Sequence, residues 1–173
     1  MIMARRISVI TSILLCFVAA EHYMSAQSQT HAVKLGSFIK SGGITDVSIL
    51  QKDRSQTSQA GYQAAFSLGF PRFDIYSPTG DLLYHTTDID QVRHVLRNFR
   101  KISTRLSPLP RTDSWPEVVA KFPELQPSTG QFIFLSIRIE DCDTCRIEED
   151  LLAKAGKRDF SRQIRQEVLV LKP

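Results

Sequence analysis

QFIFLSIRIEDCDTCRIEEDLLAKA, residues 131–155, decides the fold. Gln131 to Ile139 is strongly apolar, as a strand buried on both faces would be. It runs straight into Asp141-Cys142-Asp143-Thr144-Cys145. A helix is expected from about Cys145 to Ala155, with Ile147, Leu151, Leu152 and Ala155 turned inward and Gly156 as its stop. A buried strand that delivers a C-x-x-C pair to a helix start favours thiol chemistry. The unpaired N–H groups and partial positive charge at the helix end stabilise a thiolate. Cys142 is then expected to be the exposed, attacking sulfur, and Cys145, one turn further in, the one that resolves a mixed disulfide.

Upstream lies a second informative stretch. Gln59 to Leu68 has helical periodicity and ends at Gly69. Phe70-Pro71 opens a strand, Arg72 to Ser77, and Pro78-Thr79-Gly80 turns it into a second strand, Asp81 to Thr86. Asp88 or Asp90 caps a helix whose Val92, Val95, Leu96, Phe99 and Ile102 form a single buried stripe. Residues 59–102 therefore read as helix, proline, hairpin, helix. Between the two blocks, residues 103–130 hold five prolines, Pro108, Pro110, Pro116, Pro123 and Pro127, with a helical turn or two expected around Trp115 to Phe122. So long a connection is either functional or a separator. Ile44 to Leu50 and Glu167 to Leu171 read as strands, Lys34 to Lys40 as a short helix or strand, and 27–36 as a loose polar lead-in.

The first residues describe export. Arg5 and Arg6 form a basic start, followed by Ile7 to Ala20, an uncharged apolar run that suits a signal peptide and is short for a bilayer span. Small residues offer cleavage after Ala20 or after Ala26. The expected layout is a signal peptide over 1–26 and a single domain over 27–173, secreted or periplasmic. Contact with a membrane is expected only through that N-terminal segment if it stays uncleaved. Of 22 basic and 18 acidic residues, the segment takes Arg5, Arg6 and Glu21, which leaves the remainder at +3. A charge that small gives no argument for nucleic acid. Arg97, Arg100, Lys101 and Arg105 cluster at one helix end, which reads first as complementing the macrodipole.

Cysteine usage fits the same compartment. Cys16 leaves with the signal peptide, and Cys142 and Cys145 remain as a disulfide or a redox dithiol. The loop is so short that a bridge would stabilise by only about 2 kcal/mol in the chain-entropy model, which makes it a poor staple. Half a metal site is disfavoured. Structural zinc wants four ligands, and His85 and His94 stand apart with no second C-x-x-C. No metal and no cofactor is expected. Asp88 and Asp90 read as a cap, and no phosphate loop or nucleophile elbow is present.

Taken together, the two blocks resemble the thioredoxin-like family. Cys142 and Cys145 match its redox pair. Pro71 matches its cis-proline, and Phe70 the residue whose backbone pairs with a bound chain. The resemblance covers about half of the mature chain. It implies an α/β sandwich with a mixed central sheet, a thiol–disulfide oxidoreductase acting through Cys142 and Cys145, substrate contact at Phe70 and Pro71, and protein thiols or disulfides as partners. The order departs from the family, in which the C-x-x-C precedes the proline. Either the halves are permuted and meet in space, or a degenerate N-terminal unit precedes an incomplete second one. Asp141 replaces the usual aromatic residue, and Glu140, Asp141 and Asp143 surround the sulfur with charge that opposes a thiolate. A non-catalytic binding or scaffold module with a structural disulfide is the alternative.

Overall fold

Five strands form a single mixed sheet in the computed structural model, which describes residues 28–44, 70–128, 130–140 and 142–172. The strands are β1 (Ser28–Lys34), β2 (Arg72–Tyr76), β3 (Leu82–Thr86), β4 (Phe132–Ile139) and β5 (Ile164–Lys172). Their spatial order is β1-β5-β4-β2-β3. The helices are α1 (Leu35–Lys40), α2 (Ile89–Ile102), α3 (Trp115–Lys121) and α4 (Asp143–Ala155). The strand and helix expected within 44–50 and 59–68 lie outside the described residues, apart from Ile44.

β4 is central, as its two apolar faces require. It pairs in parallel with β5, from Phe132↔Ile164 to Ile139↔Leu171, and antiparallel with β2, from Arg72↔Ile137 to Tyr76↔Ile133. The hairpin and the strand before the C-x-x-C therefore belong to one sheet. Alternate residues of β4 serve opposite cores. Ile133, Leu135 and Ile137 face Phe38, Tyr76, Trp115 and Phe122. Phe134 faces the other way, into Phe73, Ile75, Val95, Phe99, Leu152 and Phe160. Helices α2 and α4 cover this second face, while α1 and α3 contribute to the first. The result is a three-layer α/β/α sandwich.

The expected stripe on α2 is buried at Val92, Val95, Leu96 and Phe99, and Asp88 caps the helix by accepting from the N–H groups of Asp90 and Gln91. Phe99 anchors the layer. Its ring meets those of Phe132, Phe134 and Phe160 at centroid distances of 4.9–5.2 Å.

Residues 103–130 prove to be a packed layer rather than a separator. Ser114 and Glu117 form a capping box for α3, with Pro116 in the first turn. Trp115 and Val118 are fully buried, and the indole Nε1 donates to Gln126 O at 2.9 Å. The layer is sewn to the hairpin. Trp115 N donates to Gly80 O at 2.7 Å and Leu109 N to Leu82 O at 2.8 Å. Gly80 is required at this seam: its φ is +97°, and a Cβ would lie 3.2 Å from Pro116 and 3.4 Å from Trp115.

Two expectations fail. The loose lead-in at 27–36 is mostly strand, because β1 adds in parallel to the edge of β5 through its backbone, Ser28↔Gln166 to Lys34↔Lys172. An edge strand exposed along most of its length needs no apolar alternation, so pattern reading misses it. His31 secures it through Glu167 at 2.9 Å. The second failure concerns α4. It begins at Asp143, and its buried positions are Cys145, Glu148, Leu152 and Ala155. Ile147, expected inward, is 46% exposed. A glutamate occupies the inward position instead.

Candidate functional site

The disulfide sits where the central strand gives way to a helix. Cys142 is the N-cap of α4, and its Sγ accepts from the N–H of Cys145 at 3.2 Å. The two cysteines are joined through their sulfurs with Cα atoms 5.2 Å apart, a separation within the ordinary range for a disulfide. They differ in exposure. Cys142 is half-buried, whereas Cys145 is only 2% exposed. An incoming sulfur can approach Cys142 more easily than Cys145. The acidic surroundings are uneven: Asp143 is solvent-exposed and near Arg146, and Glu140 pairs with Lys172 at 3.2 Å. Asp141 lies outside the described residues.

Phe70 and Pro71 come to the same end of the sheet. Pro71 directly precedes Arg72, whose partner in the β2–β4 ladder is Ile137, two residues before the end of β4 and five before Cys142. The Phe70-Pro71 peptide is cis. Phe70 is half-buried and, like Cys142, packs on the core of the α1 and α3 face, where its ring stands edge-on to Phe38 at 6.4 Å. The sheet therefore gathers at one end all four residues picked out by the sequence.

Glu148 is the residue that sequence reasoning missed. It follows Cys145 by three positions on α4, so the two side chains share the sheet-facing side of the helix. The carboxyl is fully buried and accepts from Ser136 Oγ at 2.9 Å through Oε2. Its Oε1 has no hydrogen-bond partner among the described residues. Burial drives its pKa from the usual carboxylate range up to about 8, against the opposing pull of the Ser136 hydroxyl and Arg138, and Asp74 adds a smaller push upward. At neutral pH this side chain is mostly a neutral acid, one helical turn from the inner sulfur. Arg138, two residues after Ser136 on β4, is held by Glu149 at 2.9 Å. The sequence signal, a glutamate at a helix position that should be apolar, becomes visible only once the helix phase is known.

A second polar cluster lies across the sheet. Asp74, fully buried on β2, accepts from Arg72 Nε at 2.8 Å and pairs with His85 Nδ1 at 2.7 Å. His85 is thus a satisfied partner of a buried carboxylate, while His94 stands exposed on α2. Among the described residues, no group of three or more His, Cys, Asp or Glu side chains could hold a metal ion. No described helix is long and apolar enough to cross a membrane. No protein-family model, curated protein or solved structure matches the chain.

Proposed function

We propose that this protein is an exported thiol–disulfide oxidoreductase of thioredoxin-like type, with its two halves in permuted order. One observation carries the reading. A Cys142–Cys145 disulfide opens the helix that follows the central strand, with the outer sulfur accessible and the inner one buried near a neutral carboxyl. The reversed order of the halves does not keep them apart, since β4 and β2 are hydrogen-bonded neighbours and the cis peptide of Pro71 falls at the disulfide's end of the sheet.

The reaction follows from the difference in exposure. In the dithiol form, the Cys142 thiolate attacks a substrate disulfide. The substrate S–S bond breaks, one substrate sulfur leaves as a thiol, and Cys142 is joined to the other. Cys145 then attacks Cys142 Sγ. The second substrate thiol is released and the protein's own disulfide reforms, so two protein thiols are oxidised while one substrate disulfide is reduced. Cys145 must lose its proton to attack, and Glu148 accepts it in its ionised form, the minority species at neutral pH. Phe70 and Pro71 line the approach to Cys142, and the substrate is a protein thiol or disulfide.

Insulin reduction in the presence of dithiothreitol checks the activity. The mature chain should accelerate precipitation of the insulin B chain, and Cys142→Ser should return the rate to that of dithiothreitol alone. Equal rates with and without the wild-type protein, together with thiols that resist alkylation until unfolding, would leave the disulfide as a structural bridge in a binding module. Export is checked separately. N-terminal sequencing of material from outside the cytoplasm should begin near Glu21 or Gln27, and intact Met1 in a membrane fraction would replace the signal peptide with an anchor.

A further inference from the structure

We infer that the groove between α2 and the end of α4 is a binding site for a compact, multiply charged phosphate group. The site is independent of the thiol chemistry, because it is centred on the far end of α4 from the disulfide. A cavity of about 360 Å³ opens there, walled by Arg97, Arg100 and Lys101 of α2 and by Arg158 beyond α4. A second cavity, of about 270 Å³, shares Arg97 and Arg158 with the first and adds Arg93 and Lys154. The two walls together hold these six cations against only two carboxylates, Asp150 and Asp159. Their balance of +4 equals the formal charge of the entire chain. The rest of the molecule is neutral on balance, so its charge asymmetry is concentrated in this groove.

Helix dipoles do not account for it. Each helix end carries about half a negative charge, so two ends call for roughly one cation. Arg158 Nη1 reaches mid-helix carbonyls of α2 rather than its end, donating to Leu96 O at 3.0 Å and to Arg97 O at 3.4 Å. Arg93 is held by Asp90, and Arg100 reaches Asp159 only at 3.9 Å with both side chains exposed. Arg97, Lys101 and Lys154 have no carboxylate partner within ion-pair distance among the described residues. Holding like charges around one concavity is repulsive unless an anion neutralises them.

Shape and donor type select the ligand. The groove is open to solvent and short, so it takes a compact head group rather than the length of an extended acidic chain. The guanidinium groups of Arg97 and Arg100 on α2, with the Lys154 ammonium of α4 in the adjoining wall, suit an oxyanion with three or more acceptor oxygens, whereas a single fork already saturates a carboxylate. Inorganic pyrophosphate supplies this chemistry free in solution, and an anionic phospholipid supplies it at a bilayer surface.

Titration calorimetry of the mature protein with pyrophosphate, beside co-sedimentation with phosphatidic acid vesicles, separates the two sources. Saturable binding in either arm, weakened tenfold or more in Arg97→Gln/Lys101→Gln and unchanged in Lys34→Gln/Lys40→Gln, is the expected result. The control pair removes equal charge elsewhere on the surface. Binding in only one arm identifies the source and upholds the site. Absence of saturable binding in both arms would overturn the proposal. So would equal weakening by the two double variants, or tighter binding of a poly-glutamate peptide than of pyrophosphate. Insulin reduction by Arg97→Gln/Lys101→Gln should match wild type, so the outcome is independent of the redox reading.

Discussion

Cys145→Ser is expected to turn the protein into a trap that accumulates mixed disulfides through Cys142. The half-buried sulfur can still attack a substrate disulfide, but the buried one that should release it is gone. Only dilute external thiols then remain to resolve the adduct. An intramolecular thiol enjoys a large effective concentration, so the adduct should persist at least roughly a hundredfold longer than in wild type. Non-reducing electrophoresis of the variant after incubation with an oxidised protein extract should show bands that collapse on reduction. Cys142→Ser should show none, because Cys145 at 2% exposure cannot meet a macromolecular disulfide. Adducts formed equally by both variants would mean that the helix opens to solvent and that the division of labour between the sulfurs is wrong.

Glu148→Gln should produce the largest change in stability with pH. The folded chain holds the Glu148 proton up to about pH 8, whereas an unfolded glutamate releases it near 4.5. Between those values the folded state binds the extra proton, so stability falls as pH rises. It is fully retained below about pH 4.5 and mostly lost by pH 8. At about 1.4 kcal/mol per pH unit, this group alone should cost on the order of 3 kcal/mol between pH 5 and pH 8. Glutamine keeps an acceptor for the Ser136 hydroxyl and cannot ionise, so the variant should be the more stable protein at pH 8 and should lose that slope. Urea unfolding at pH 5, 6, 7 and 8 reads the effect directly, and parallel slopes for the two proteins would refute it. The same variant bears on the chemistry. If Glu148 exchanges the proton of Cys145, Glu148→Gln should slow resolution of the mixed disulfide while leaving the first attack by Cys142 unchanged. A stabilised protein with slower turnover is the signature of a group kept for function at the expense of stability.

The sequence by itself determined much of this protein. The strongly apolar run of Phe132 to Ile139, broken only by Ser136 and Arg138, indicated a central strand, and the period of Val92, Val95, Leu96 and Phe99 indicated an amphipathic helix. Both rest on local patterns that solvent exclusion imposes wherever the segment ends up. The same holds for the turn at Pro78-Thr79-Gly80, the cap at Asp88, and the placing of Cys142 ahead of Cys145 at a helix start. Tertiary structure decided the rest. β1 has no apolar alternation to read because an edge strand bonds through its backbone, and its partner β5 lies more than a hundred residues away in the chain. The phase of α4 turned on the sheet beneath it. A 3.6-residue period fits Ile147 or Glu148 almost equally well, and only Ser136 across the interface makes the glutamate the inward residue. The meeting of Pro71 with the disulfide's end of the sheet likewise depends on β2 choosing β4 as its neighbour. Pairing between distant strands is a property of the assembled sheet, and no local window of sequence contains it.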